Sequence, residues 1–197
     1  MKKIIFATTN PGKAREVKMM MKDFDVELTT LKDEGIDVDI EETGTTFEEN
    51  SIIKAKTICE MTGEIALADD SGLEVDYLDK APGVYSSRFL GEDTPYEEKN
   101  DYIIEKLADA EGNERSARFV CSMALVFPDG SVETCSGTIE GVIGYEQKGT
   151  NGFGYDPIVY VPEHGMTTGE MDPELKNSIS HRGKALEQMK EILKRKL

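Results

Sequence analysis

The hydrophobic positions of this 197-residue chain change period several times, and each change marks an element. Ile4-Ile5-Phe6-Ala7 is an unbroken apolar run, the pattern of a strand covered on both faces. Ala14, Val17, Met20 or Met21 and Phe24 follow at helical spacing. They stand behind Asn10, a good N-cap, and Pro11, whose missing N–H is harmless at the first helical position. Residues 26–31 alternate roughly and predict a strand. From Thr46 the spacing predicts a helix with Glu48 and Glu49 in its first turn and Ile52, Ala55 and Cys59 on one face, stopped by Gly63. Residues 64–68 predict a strand ending at Asp69-Asp70-Ser71-Gly72, 73–78 another strand, 81–83 a turn and 95–107 a helix opened by Thr94. Residues 115–127 and 131–145 flank Pro128-Asp129-Gly130 and predict a long hairpin. A strand over 158–161 precedes a last helix with Ser180 as N-cap. That helix faces inward with Ala185 or Leu186, Met189, Ile192 or Leu193, and Leu197. Lys194, Arg195 and Lys196 complement the dipole in its last turn. Early strand–helix alternation with a central hairpin predicts an α/β fold whose sheet is mixed, not all-parallel.

Length and composition narrow the picture. A 38% hydrophobic content buries a core at this length, and a single domain over 1–197 is expected. Lys and Arg total 23 against 39 Asp and Glu, a net charge of −16. Such a chain repels a nucleic-acid backbone, and no basic stripe offsets the repulsion. An anionic ligand would need a local cationic pocket or a divalent metal. No apolar run approaches the roughly 18 residues of a membrane span. The apolar stretch after Lys2-Lys3 ends at Thr8, too soon for a signal peptide, so a cytoplasmic location is expected. Cys59, Cys121 and Cys135 show no CxxC spacing, and His164 and His181 form no HExxH pattern. Buried reduced thiols are the expectation, not a disulfide framework or zinc site.

Five constellations can carry chemistry, each beside a plainer reading. Thr8-Thr9-Asn10-Pro11-Gly12-Lys13 joins a strand end to a helix start, where free N–H groups and Lys13 suit a phosphate; GxxxxGK[ST] is absent. The plainer reading is an ordinary β–α turn with a surface lysine. In Asp69-Asp70-Ser71-Gly72, adjacent residues of a strand face opposite ways, so one aspartate at most points to a given cleft. It would hold a metal or accept a proton, or the segment is merely a capped strand end. Glu41-Glu42-Thr43-Gly44 reads as a solvated loop unless it faces Asp70. Gly149-Thr150-Asn151-Gly152-Phe153-Gly154-Tyr155-Asp156-Pro157 offers backbone close approach and a ring to stack on a base, or a tight turn with a core Phe. Lys176 and Ser180-His181-Arg182 place cationic donors where the helix dipole disfavours them, unless an acceptor is near.

In this order the segments resemble one family. The chain resembles the inosine triphosphate pyrophosphatases, also called Ham1-like or non-canonical purine nucleoside triphosphate pyrophosphatases. The resemblance runs from Ala7-Thr8-Thr9-Asn10-Pro11-Gly12-Lys13 through Glu41-Glu42-Thr43-Gly44, Phe47-Glu48-Glu49-Asn50 and Lys54-Ala55. It continues through Ala68-Asp69-Asp70-Ser71-Gly72-Leu73, Pro82-Gly83-Val84-Tyr85-Ser86-Ser87-Arg88 and Gly152-Phe153-Gly154-Tyr155-Asp156-Pro157, and closes with Lys176-Asn177 and Ser180-His181-Arg182-Gly183. Thr167-Thr168-Gly169-Glu170 departs from it: Thr168 and Gly169 replace an aromatic and an Ala.

The resemblance implies an elongated α/β fold of ITPase-like or Maf-like type, with a mixed central sheet flanked by helices and two lobes with a cleft between them. It implies Mg2+-dependent hydrolysis of ITP, dITP and XTP to the monophosphate and pyrophosphate, cleansing the nucleotide pool, by a homodimer. Thr8, Thr9, Asn10, Pro11, Gly12 and Lys13 would cradle the phosphates, with Lys54 a further contact. Asp70 would be proton acceptor and metal ligand, Glu41 the second ligand and Ser71 a substrate contact. Phe153, Gly154, Tyr155 and Asp156 would bound the base pocket, and Lys176, His181 and Arg182 would contact the nucleotide and read the base. A 6-oxo group rewards such donors where a 6-amino group leaves them unpaired. The alternatives are a regulator that binds nucleotide without cleaving it, and a pyrophosphatase for modified pyrimidine or methylated nucleotides.

Overall fold

The computed structural model describes residues 1–197. Its strands are β1 (Lys2–Phe6), β2 (Val26–Thr30), β3 (Ile65–Val75), β4 (Ser116–Val126), β5 (Val132–Ile143), β6 (Val159–Val161) and β7 (Met166–Thr167). Its α-helices are α1 (Pro11–Met21), α2 (Phe47–Thr62), α3 (Tyr96–Lys106), α4 (Pro173–Ile179) and α5 (His181–Lys196). The sheet order is β2-β1-β3-β4-β5-β6-β7. β1 pairs in parallel with β2 and β3, whereas β5–β6 and β6–β7 are antiparallel, so the sheet is mixed as expected. The chain divides into two compact units: 1–70 with 121–137 and 181–197, and 71–120 with 138–180.

In the first unit, strand alternation sorts side chains between two cores. Ile4 and Phe6, Ile65 and Leu67, and Cys121, Met123 and Leu125 pack with Val17 and Met21 of α1 and with Ala185, Leu186, Met189 and Leu193 of α5. Their neighbours Ile5 and Ala7, Ala66 and Ala68, and Ala124 and Val126 pack with Ala55, Ile58 and Cys59 of α2. Both faces are covered, which is why β1 is apolar without interruption. Asn10 caps α1, and Thr46 and Glu49 close a capping box on α2. Gly63, at φ 70°, ends α2 in the left-handed region that glycine enters without strain.

In the second unit, Leu73, Val75, Ile103, Leu107, Phe119, Ile139, Ile143 and Ile158 form one apolar core. Arg115, 2% exposed, is its polar pin. Its guanidinium donates to the carbonyls of Ile143 (2.7 Å), Leu107 (2.6 Å), Ala110 (3.2 Å) and Gly144 (2.7 Å). Arg115→Met keeps the bulk and leaves these acceptors without their donor, so a loss of roughly 2–4 kcal/mol is expected in urea unfolding. An unchanged midpoint would remove Arg115 from that role.

Four expectations are corrected. Asp69-Asp70-Ser71-Gly72 ends no strand: β3 runs straight through it, because both aspartates meet partners on their own faces, and it stops at Val75 before a 3-10 turn over Asp76–Leu78. Thr94 does not open α3. Pro95 holds the cap position, and the Thr94 hydroxyl donates back to Leu90 O at 2.6 Å. Leu197 lies beyond the end of α5 and is 45% exposed. α4 is an additional helix, capped by Asp172 with Pro173 in its first turn. Of the three free cysteines, Cys59 and Cys121 are buried and Cys135 is half-buried.

Candidate active site

The period of β3 assigns its two aspartates to different neighbourhoods. Asp69 follows Ile65 and Leu67 onto the face covered by α1 and α5. Asp70 follows Ala66 and Ala68 onto the face covered by α2.

Asp69, 1% exposed, meets cations there. Its Oδ2 accepts Arg182 Nε (3.2 Å) and a terminal Arg182 nitrogen (3.1 Å), and lies 3.2 Å from Lys13 Nζ. Burial alone would push its carboxyl up, but Lys13, Arg182 and Lys54 hold it well below the usual carboxylate range. Arg182, 1% exposed, also donates to Glu16 Oε2 at 2.6 Å. Lys13, Glu16, Asp69 and Arg182 are therefore one buried charge network. His181, at the start of α5, is buried as well.

Asp70 is tuned the other way. Burial pushes its carboxyl up to about 6. Lys54 and Lys13 oppose that shift, while Glu42 and Asp69 add to it. Asn50 and Lys54, one turn apart on α2, both reach it. Asn50 Nδ2 donates to Asp70 Oδ2 (3.2 Å), and Lys54 Nζ lies 3.6 Å from Asp70 Oδ1. The same Lys54 pairs with Glu42 Oε2 at 3.2 Å, and Asn50 Oδ1 accepts the Gly44 N–H at 2.8 Å. Together these contacts tie the acidic segment 41–44 to Asp70. Glu42 is the member whose carboxylate shares Lys54 with Asp70; Glu41, beside it, is exposed.

The phosphate turn needs one correction. Free N–H groups at the start of α1 were expected, but Asn10 takes them. Its Oδ1 accepts from Gly12 (2.8 Å) and Lys13 (3.1 Å), its carbonyl accepts from Ala14 (3.0 Å), and Pro11 has no N–H. What remains for an anion is Lys13 Nζ, the Thr8 and Thr9 side chains and the helix dipole. The Thr8 hydroxyl accepts the Asn10 N–H at 3.1 Å, which shapes the turn.

The donor set suits a hard dication in its chemistry. Asp69 Oδ1 is buried and accepts no hydrogen bond, and the carboxylates of Glu42 and Asp69 both add to the cost of charging Asp70. No three His, Cys, Asp or Glu side chains converge on one point.

The second unit carries the Gly-Phe-Gly-Tyr-Asp loop. Asp156 Oδ2 accepts the Phe153 N–H (2.9 Å) and Lys176 Nζ (2.6 Å), and Lys176 Nζ stands 5.0 Å from the Phe153 ring centroid. Gly152, at φ 72°, is required: a Cβ there would collide with Asp156 Oδ2. Gly154 accepts from Asn100 Nδ2 at 3.2 Å. Tyr155 is buried. Its hydroxyl donates to Ser86 O at 2.6 Å and its ring packs edge-on against Tyr96, so it braces the loop from behind. Phe153 remains half-buried, with Lys176 over its ring. Ser71, where the second unit begins, is half-buried.

Glu16, Glu42, Asn50 and Asp69 were not among the expected site residues. Glu16 had a signal: an acid one turn after Lys13, beside Val17 on the inward stripe. Asn50 had another, at the position one turn before Lys54.

A Ham1 family model matches residues 4–192. A dITP/XTP pyrophosphatase of Exiguobacterium sibiricum is 48% identical over 191 residues, 97% of this chain and 96% of its own. One of Bacillus licheniformis is 46% identical over 198 residues, 98% of each. Among solved structures, a HAM1 protein from Coxiella burnetii is 44% identical, covers 99% of this chain and 100% of its own, and superposes with a TM-score of 0.89.

Proposed function

Because the chain belongs to the Ham1 family, we propose that it hydrolyses dITP, XTP and ITP to the nucleoside monophosphate and pyrophosphate with Mg2+ as cofactor. The observation that carries this reading is the split of the aspartate pair. One carboxylate is locked as an anion among cations, and its neighbour is raised toward the pH at which a general base works best.

In this reading Asp70 accepts the proton of the attacking water. The water oxygen bonds to phosphorus, the anhydride between the α and β phosphates breaks, and pyrophosphate leaves. Lys13 and Lys54 offset the phosphate charge, which is most of what such a reaction needs. Thr8 to Lys13 shape the phosphate turn and Ser71 contacts substrate. Glu41 and Asp70 hold the metal, with Glu42 and Asp69 next in line. Mg2+, when bound, supplies charge neutralisation at the phosphates. Phe153, Gly154, Tyr155 and Asp156 form the base end, with Lys176 and His181 as donors for a 6-oxo purine. Arg182 enters with its guanidinium already bound to Asp69 and Glu16, so any contact to the base is made alongside those pairs.

A cytoplasmic location and a homodimer complete the proposal. No helix is long and apolar enough to cross a membrane, and the charge of −16 disfavours nucleic-acid polymers. Tyr85 and Leu90, 57% and 44% exposed, offer apolar surface for a second copy.

The test is product analysis with dITP, XTP, ITP, dUTP and methylated TTP, with Mg2+ or with EDTA. Mg2+-dependent pyrophosphate from the first three is expected. Orthophosphate, a preference for the pyrimidines, or tight binding without turnover would each overturn the reading.

A further inference from the structure

Both oxygens of the Asp156 carboxylate are anchored, and the anchor on Oδ1 belongs to no segment read above as functional. Oδ2 accepts Phe153 N–H and Lys176 Nζ. Oδ1 accepts the Thr168 hydroxyl at 2.8 Å, which also lies 3.1 Å from the Asp156 carbonyl oxygen. Thr168 and Asp156 are 1% and 2% exposed, so bulk water does not replace that donor.

The Thr168 backbone is held from both sides. Its N–H donates to Val159 O (2.9 Å), and the Gly169 N–H donates to Asp156 O (3.0 Å). Thr167 Oγ1 donates to Lys148 O (2.7 Å), and the Asn151 N–H to Gly169 O (2.9 Å). Residues 167–169 therefore grip the 148–157 loop near both ends.

The terminal torsion of an Asp side chain is soft. Rotation about Cβ–Cγ would swing Oδ2 away from Phe153 N–H and Lys176 Nζ, and the Thr168 hydroxyl on Oδ1 restrains that rotation. Oδ2 pairs with the Lys176 ammonium at 2.6 Å, and that ammonium stands 5.0 Å from the Phe153 ring centroid.

We infer that Thr168 is a positioning residue: its hydroxyl orients Asp156 and so holds Lys176 and Phe153 in the geometry that receives a purine base. It sets affinity for the base, not the rate of anhydride cleavage. The inference rests on the nucleotide reading above.

The test compares Thr168→Val, Thr168→Ala and Thr168→Ser with the wild type, in steady-state kinetics on dITP and in amide hydrogen exchange at Phe153 without ligand. Val and Ala remove the hydroxyl, the latter without pressing a methyl group on Asp156; Ser keeps it. For Val and Ala, KM is expected to rise about tenfold with kcat within about twofold, and the Phe153 amide to exchange about tenfold faster. Ser is expected to restore both quantities. A merely structural role would lower the melting temperature and move neither KM nor the Phe153 amide selectively.

Unchanged KM and exchange in the folded Val or Ala variant overturns the inference. So does a fall in kcat at constant KM, or a Ser variant that behaves like Ala. If neither Val nor Ala folds, the Thr168 hydroxyl is a structural requirement and the positioning inference is overturned. A wild type that releases no pyrophosphate from dITP or XTP overturns the nucleotide reading and this inference with it. Normal wild-type turnover with unaltered variants overturns the role of Thr168 alone.

Discussion

Asp70→Asn is expected to bind nucleotide with nearly unchanged affinity and to lose turnover by about 10²–10⁴-fold, the range a positioned general base contributes. Asn keeps the shape and can still meet Asn50, but it cannot take a proton from water. The same substitution is expected to stabilise the free protein. The Asp70 carboxyl ionises near 3.8 when unfolded and near 6 in the fold, so ionisation in the native state is the disfavoured event. The stability linked to this group is fully present below about 3.8 and is lost as pH rises through about 6, so at pH 8 the folded protein carries the whole cost. Removing the charge should return roughly 1–3 kcal/mol, a few degrees in melting temperature for a chain of this size. Calorimetry at pH 8 in EDTA reads the second effect, and pyrophosphate release the first. Wild-type turnover in the variant would reject Asp70 as the base; a lower melting temperature would reject the account of its environment. In the wild type, kcat/KM should fall below about pH 6 as Asp70 protonates, and at lower pH when saturating Mg2+ favours the anion.

Arg182→Met should be the most destabilising single change in the first unit. Methionine fills the space but removes the donors to Asp69 and the 2.6 Å pair with Glu16, leaving carboxylates in a buried setting. Breaking one side of a buried ion network costs about 3–5 kcal/mol, or about 10 °C here. Turnover should fall as well, because Lys13 is then drawn more strongly to Asp69. A rescue separates charge from packing: Asp69→Asn added to Arg182→Met should recover part of the loss, since a neutral amide tolerates burial better than an unpaired anion. If Arg182→Met melted within about 2 °C of the wild type, the network would be dispensable.

Some of this was legible along the chain, for local reasons. The start of α1 follows from Asn10-Pro11, the span of α2 from Thr46, Glu49 and Gly63, and the β4–β5 connection from Pro128-Asp129-Gly130. Each signal acts within a few residues of where it is written. The path of β3 was not legible. Asp-Asp-Ser-Gly has turn composition, and only cations on both sides of the sheet let two adjacent aspartates lie inside a strand. Glu16 and Asn50 look like outward polar positions until the strand beneath them is known to carry Asp69 and Asp70. Free N–H groups at the start of α1 are incompatible with Asn10 as its N-cap, because the capping oxygen accepts from the same donors an anion would use.

The linear pattern settled most strands and helices, though neither the path of β3 nor α4, and it settled that the sheet is mixed and that two neighbouring aspartates must face opposite ways. Those conclusions need only backbone period and local hydrogen bonding. Which aspartate is held as an anion and which has its carboxyl pushed up was decided by the folded arrangement. A carboxyl group's affinity for its proton depends on charges a few ångströms away. Here they come from other elements of the fold, Lys54 of α2 beside Asp70 and Arg182 of α5 beside Asp69.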